Sequence, residues 1–284
     1  MSFFEKIRRC NDRSLAGHLP FMIGTERFGF ISPARAAILA QHPNVFEVQA
    51  QLVQFQHALI SPDQRTAAVE KIAPALMASN AFLKLRGERY GVKNAWHDDE
   101  QLRIDRALVV GFGFRAYGVH INGFVRTAKG LHLWIGTRSM TCSVEPGKFD
   151  NMVAGGQPAG LGLMANVIKE CEEEAGLSAA EAMRAQPVGN LSYCFDTPQG
   201  VRVDTLFCYD LEMPDGAVPK NHDGEISSFK LMPIDDVLAL VRDTSAFKFN
   251  VNLVILDFAI RHGVINPQSE PTYEKLVLGL HQNP

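Results

Sequence analysis

The most restrictive stretch of this sequence runs from Val153 to Leu177, where a loop containing Gly155, Gly156, Gly160 and Gly162 passes directly into an acidic segment. Glycines at this density let the backbone approach a ligand closely. The acidic segment reads as a helix that stops at Ala175-Gly176, where Gly176 suits a left-handed C-terminal cap. Glu170, Glu173 and Glu174 recur at helical spacing and share one face. Acidic runs on helices are ordinarily solvated faces, but a glycine loop feeding straight into one gives the arrangement of a metal site. Hard divalent cations such as Mg²⁺ take oxygen ligands and usually sit on one or two carboxylates plus substrate phosphates. Glu172 falls outside the shared face and is expected in solvent.

The segments around this stretch predict alternating strands and helices. Phe3 to Cys10 places Phe3, Phe4, Ile7 and Cys10 at helical spacing, and Phe21-Met-Ile-Gly with Arg27-Phe-Gly-Phe-Ile reads as two strands about a turn. Pro33 after Ser32 starts a helix, Val45 to Val48 is a short strand, and Ser61 caps a helix reaching Ala78 with Val69, Ile72, Ala73 and Leu76 inward. A second helical piece is expected near Phe82-Leu83-Lys84. Strands follow at Tyr117 to Val125 and Leu131 to Gly136, turning at Lys129-Gly130, and again at Val188 to Phe195 and Val201 to Leu211. Phe229 to Met232 leads into a helix from Pro233, and a final helix covers Asn252 to Arg261. The pattern predicts an α+β chain in two parts, an N-terminal α+β region over 1–105 and a second domain over 106–284 that holds the acidic helix.

Composition excludes some partners. The net charge of −3 argues against a nucleic-acid polymer bound through bulk positive charge, so phosphate recognition must come from local groups. No apolar run approaches membrane-spanning length, and charges in the first residues stand where a signal peptide needs its apolar region, so the cytoplasm is the expected compartment. Five widely spaced cysteines show no paired metal-ligand pattern and are expected as free, mostly buried thiols. His18, His42, His57 and His97 are isolated, and Trp96 is expected to pack or to contribute to a pocket.

The central stretch resembles the Nudix box, a pattern of glycine, five residues, glutamate, seven residues, Arg-Glu, an apolar residue, any residue, Glu-Glu, any residue, glycine and an apolar residue. Gly155 takes the first place, Lys169-Glu170 the Arg-Glu pair, Cys171 the apolar place, Glu173-Glu174 the paired acids and Gly176-Leu177 the end. Leu161 stands where the pattern has its first glutamate, Lys169 replaces arginine, and a loop one residue shorter would make Gly156 the box glycine. Further stretches, Tyr117-Gly-Val-His-Ile-Asn-Gly-Phe-Val, Trp134 to Arg138, Pro146 to Gly156, Asn221 to Ile226 and Asp257 to Gly263, look like the Nudix group related to fungal thiamin pyrophosphokinase. The resemblance implies a Nudix-type mixed sheet sandwiched between helices, with the N-terminal region added to it.

It also implies hydrolysis of a small-molecule diphosphate, with thiamin diphosphate or its damaged analogues cut to the monophosphate as the leading substrate. Mg²⁺, with Mn²⁺ as the alternative, would be held by Glu170, Glu173 and Glu174, with the carbonyl of Gly155 or Ala154 completing the shell. Glu170 and Glu225, in the Asp-Gly-Glu loop, are the candidates for accepting the proton of the attacking water. Arg115, Arg138 and Lys148 lie on segments leading to the box and are the candidate phosphate holders. Lys169 is expected to brace the acids, and Asp150 with Asn151 to shape the loop through side-chain to backbone bonds. Nudix domains often pair, so a homodimer is compatible with the resemblance. Two other readings stand beside this one: a Nudix hydrolase of nucleoside triphosphates, dinucleotides or nucleotide sugars, and a Nudix-like binding module without catalysis.

Overall fold

The computed structural model describes residues 2–282. Five strands lie side by side in one mixed sheet, in the order Gln186–Thr197, Gly200–Glu212, Arg115–Thr127, Gly130–Arg138, Ile226–Pro233. Gly200–Glu212 runs parallel to Arg115–Thr127, and the other neighbours are antiparallel. Arg115–Thr127 changes partner along its length. Its end pairs with the start of Gly130–Arg138, Phe124 opposite Leu133, while its first half pairs with the short glycine strand Val153–Gly156, Gly118 opposite Gly156. A bifurcated sheet of this kind delivers the glycine loop onto the sheet face.

Side chains alternate across the sheet as the strand period requires. Val119 and Ile121 face the acidic helix Leu163–Ala175 and pack with its Val167 and Cys171. On the opposite face, Phe124, Tyr193 and Leu206 pack against Val254 and Phe258 of the helix Val251–Arg261. The sheet is therefore sandwiched between helices, and the α+β mixed-sheet expectation holds. The first helix, Phe3–Arg9, belongs to this second core rather than to the N-terminal one, with Phe3 and Ile7 in the same cluster as Leu276 and Leu280 of Tyr273–Leu280.

The N-terminal region builds its own apolar cluster around phenylalanines. A four-stranded sheet, ordered Glu26–Ile31, Leu19–Ile23, Val53–Phe55, Phe46–Val48, places Phe21 edge-on to Phe46, Phe55, Phe112 and Phe114. Helix Pro62–Ala78 starts with a capping box between Ser61 and Gln64 and buries Val69, Ala73 and Leu76. The cluster extends through the helix Arg106–Phe112 to Phe114, immediately before the central strand begins.

Two sequence expectations differ from the structure, which also holds one element that none of them covered. Residues 82–84 are not helical: the chain turns at Asn80, in a left-handed conformation at φ 58°, and Phe82 is drawn onto Phe112. The helix Val251–Arg261 is not the last, because Tyr273–Leu280 follows it. A hairpin of Arg89–Val92 and Leu102–Asp105, which no simple pattern announced, stands beside the glycine loop. Among the described residues no helix is long and apolar enough to cross a membrane. All five cysteines are free, and only Cys142 is not buried.

Candidate active site

The acidic helix docks on the glycine strand through one row of side chains. Asn166, Glu170 and Glu174 repeat at successive turns, and each meets the next residue back along the strand. The Asn166 amide donates to the carbonyl of Gly156 at 2.8 Å. The Glu170 carboxyl lies against Gly155, where an added Cβ would stand 2.1 Å from its Cδ. Glu174 Oε2 accepts the Ala154 N–H at 2.8 Å. Gly155 is thus required by the close approach of Glu170. The equivalent Cβ on Gly156 would meet the Tyr90 hydroxyl instead. Sequence spacing grouped Glu170 with Glu173 and Glu174, but it did not single out Asn166, whose role depends on a strand distant in the pattern.

Burial sets the electrostatics of this row. Glu174 is fully enclosed, and desolvation, opposed only by the Ala154 bond, pushes its carboxyl well above the ordinary range. Desolvation likewise lifts Glu170 to about 6, even though Lys169 favours its charged form. Glu170 and Glu225 each raise Glu174, and Glu173 and Glu225 each raise Glu170, so four carboxylates crowd one another. Lys169 braces this group, donating to Glu173 at 2.7 Å and to Glu170 at 3.1 Å. Burial works against its charge, but those bonds hold its pKa above the usual value. Glu172 is exposed, as its spacing predicts.

Glu225 reaches the same place from the other side. The loop before it is pinned to the helix end by the His222 N–H donating to the Glu173 carbonyl at 2.9 Å and the Lys220 N–H to the Ala175 carbonyl at 2.8 Å. Asn221 and Asp223 accept from the N–H groups of Gly224 and Glu225, fixing the turn. Glu170, Glu173, Glu174, Glu225 and Gly155 all line one cavity of about 650 Å³. Buried, mutually repelling carboxylates beside backbone carbonyls are an oxygen-donor set that fits a hard divalent cation. Among the described residues no three His, Cys, Asp or Glu side chains stand close enough to form a complete metal site. Backbone and substrate oxygens would therefore have to finish the shell, as Mg²⁺ sites commonly require.

The three candidate phosphate holders fare differently. Arg138 is at the cavity wall but buried, committed to Asp150 at 2.8 Å and to the Val144 carbonyl at 3.0 Å. Arg115 and Lys148 are not among the residues lining the cavity: Arg115 donates to Thr205 at 2.8 Å, and Lys148 donates to the Ser245 carbonyl. Lys248, unflagged by its sequence context, lines the cavity and shares Asp150 with Arg138 at 3.2 Å. Asp150 is fully enclosed, yet Lys248, His120 and Arg138 outweigh that burial and hold its carboxyl below the usual range. It supports basic groups at the wall, while its own Oδ1 also accepts the Asn151 N–H.

Asn151 has a larger part than shaping the loop. Its side chain joins His120 at 2.8 Å and Asn122 at 2.8 Å, and Asn122 donates to Asp210 at 3.0 Å. Asp210 in turn receives Arg261 at 2.6 Å and His262 at 2.9 Å. A continuous polar chain thus runs from the cavity wall at His120, through the core, to the far helix. Burial lowers the His120 pKa to about 4, so this imidazole is neutral at physiological pH.

The remaining wall comes from the N-terminal region, the parallel strand and that strand's antiparallel neighbour Gln186–Thr197. Tyr90 closes over Gly156, Arg106 pairs with Glu88 at 2.7 Å, and the Tyr193 hydroxyl donates to Asp204 at 2.5 Å beside Arg202. Sequence motifs gave no sign of these residues, because the wall exists only once the hairpin at 89–105 folds beside the glycine loop.

The NUDIX domain family model matches residues 116–251, and a model described as a domain of unknown function, DUF4743, matches residues 2–116. Nudix hydrolase 20, chloroplastic, of Arabidopsis thaliana is 41% identical over 278 residues, covering 94% of this chain and 74% of that protein. Nudix hydrolase 24, chloroplastic, of the same plant is 40% identical over 271 residues, with the same two shares. Among solved structures, DR0079 from Deinococcus radiodurans is similar at 21% identity and a TM-score of 0.44, covering 59% of this chain and 97% of that one. The chain belongs to the Nudix hydrolase family.

Proposed function

We propose that this protein hydrolyses the terminal diphosphate linkage of thiamin diphosphate or its damaged analogues, giving the monophosphate and inorganic phosphate. The observation that carries the reading is the single cavity in which the acids of the box face an aromatic and charged wall supplied by the N-terminal region. Its volume falls within the roughly 300–1,000 Å³ of clefts that hold small organic ligands. Tyr90 offers aromatic surface to a heterocyclic ring, while Glu88 and Asp204 are paired with Arg106 and Arg202. The resemblance of residues 117–263 to the fungal thiamin pyrophosphokinase group supports the same substrate.

Glu170 and Glu174, with the Gly155 or Ala154 carbonyl, would hold Mg²⁺ or Mn²⁺. When bound, the cation neutralises phosphate charge and polarises the bond under attack. Lys248, and Arg138 behind it, face the phosphates with positive charge set by Asp150. Glu225 accepts the proton of the attacking water: it comes from a separate loop, while Glu170 is tied to Lys169 and Glu174 to Ala154. Water oxygen bonds to the terminal phosphorus, the bridging oxygen leaves with the monophosphate, and Glu225 carries away the proton. His120 and Asn151 fix the wall without exchanging protons.

The test is phosphate release by Glu225→Gln and Glu174→Gln chains with thiamin diphosphate. Glu225→Gln should lose kcat by a factor of 10² or more with KM little changed, and Glu174→Gln should lose activity at all accessible Mg²⁺ concentrations. Full activity in Glu225→Gln would remove it as the proton acceptor.

A further inference from the structure

A second, smaller cavity of about 260 Å³ lies on the other side of the glycine loop, between the 157–162 segment and the hairpin of the N-terminal region. It shares Tyr117 with the main cavity. Its size is below that of clefts for drug-sized ligands, so it suits a single ring. Trp96 provides the apolar surface and stands edge-on to Tyr117 at 5.6 Å. Lys93 holds the indole, its Nζ 3.9 Å from the ring centroid and bonded to the Trp96 carbonyl at 2.5 Å. That leaves further ammonium N–H groups to donate.

The acceptors are as well defined. Gln157 is only 4% exposed, and its Nε2 donates to the Leu161 carbonyl at 2.7 Å, yet its Oε1 has no partner. A buried amide oxygen without a donor costs free energy until something supplies one. Glu100 lies against Gly91, where an added Cβ would stand 2.3 Å from the carboxylate oxygen, so Gly91 admits this second acceptor to the cavity. One donor beside two acceptors, over an aromatic floor, complements an edge that carries an exocyclic amine next to a ring nitrogen.

We infer that this cavity binds a planar amino-substituted nitrogen heterocycle of aminopyrimidine type, Lys93 donating to the ring nitrogen, Gln157 and Glu100 accepting from the amine, and Trp96 covering the ring. The ring could be one end of the diphosphate substrate or a separate small molecule, and the shared recognition chemistry is the same. Only the first source rests on the proposed function.

The test begins with 4-amino-5-hydroxymethyl-2-methylpyrimidine, which has the edge but no phosphate, titrated into the full chain while tryptophan emission is followed. Trp96 and the buried Trp134 are the two tryptophans of the sequence. A saturable change should appear, vanish in Trp96→Phe, and weaken about tenfold in both Gln157→Leu and Lys93→Met. Lys93→Met leaves the Gln157 bond to Leu161 intact, so agreement between the two separates recognition from loop distortion. Uracil, with a carbonyl in place of the amine, should bind at least tenfold more weakly. If Lys93→Met also raises KM for thiamin diphosphate but not for methyl diphosphate, the ring is the substrate's own. Unchanged KM while pyrimidine binding weakens assigns the cavity to a separate ligand. No saturable emission change, or equal binding of uracil, overturns the inference.

Discussion

Replacing Gly155 by alanine is the sharpest perturbation of this site. The new methyl would stand 2.1 Å from Glu170 Cδ, 2.4 Å from Cγ and 2.5 Å from Oε1. Ordinary van der Waals contact between carbons begins at about 3.5 Å, so the carboxyl or the strand must move by about 1.1–1.4 Å. The strand cannot easily give way: Gly155 pairs with Val119, its carbonyl packs against Gly118, and its neighbours hold Glu174 and Asn166. Overpacking of this kind costs about 1–3 kcal/mol. A 1 Å displacement in a catalytic constellation costs about 10²-fold in rate. Gly162→Ala is the control, because nothing lies within 4 Å of the Cβ it would add. Phosphate release, urea unfolding and Mg²⁺ titration of activity should show Gly155→Ala folded but slowed about 10²-fold with weakened Mg²⁺ dependence, and Gly162→Ala near the parent. Activity of Gly155→Ala within twofold of the parent would refute the packing argument.

Three further outcomes follow from the same geometry. Burial lifts Glu170 from 4.5 to about 6, so between those values the folded chain holds a proton that the unfolded chain has released, and stability falls as pH rises through about 6. In Mg²⁺-free buffer, the parent should therefore gain up to about 2 kcal/mol over Glu170→Gln between pH 7 and pH 4.5. Comparing the two chains cancels the opposite trend from His120, and a pH-independent difference in urea midpoints would contradict it. Asn122→Ala leaves the buried Asn151 and Asp210 short of a partner and should cost about 1–3 kcal/mol in thermal or urea unfolding; no loss would mean that the polar chain through the core carries little. Lys248→Ala should raise KM about tenfold, whereas Arg115→Ala and Lys148→Ala should leave it unchanged, since of these three only Lys248 lines the cavity.

What the sequence disclosed was local. The acidic helix, its Gly176 cap and the Ser61 cap are written in neighbouring residues, and the structure places them where spacing puts them. The common face of Glu170, Glu173 and Glu174 follows from helical spacing, and Glu225, which only the resemblance brought forward, lines the same cavity. Arg138 was read as a phosphate holder because an arginine on a strand looks free until its partner is known. Asp150 takes it up across the sheet, leaving Lys248 facing the cavity. Tyr90, Arg106 and Asn250 were invisible for the same reason, since their place in the wall depends on how distant segments fold together. The helix Tyr273–Leu280 was missed because its apolar stripe is short, and its stability rests on Phe3 and Ile7 from the opposite end of the chain.

The most direct measurement of the central claim is Mg²⁺-dependent phosphate release from a panel of thiamin diphosphate, its oxidised analogues, ADP-ribose and nucleoside triphosphates, using the parent chain and Glu174→Gln side by side. The account predicts that thiamin-type diphosphates are cut with the highest kcat/KM, that chelation of the metal abolishes turnover, and that Glu174→Gln is inactive on every substrate. Preference for ADP-ribose or a nucleoside triphosphate would contradict the substrate assignment, and metal-independent turnover or an active Glu174→Gln would contradict the site itself.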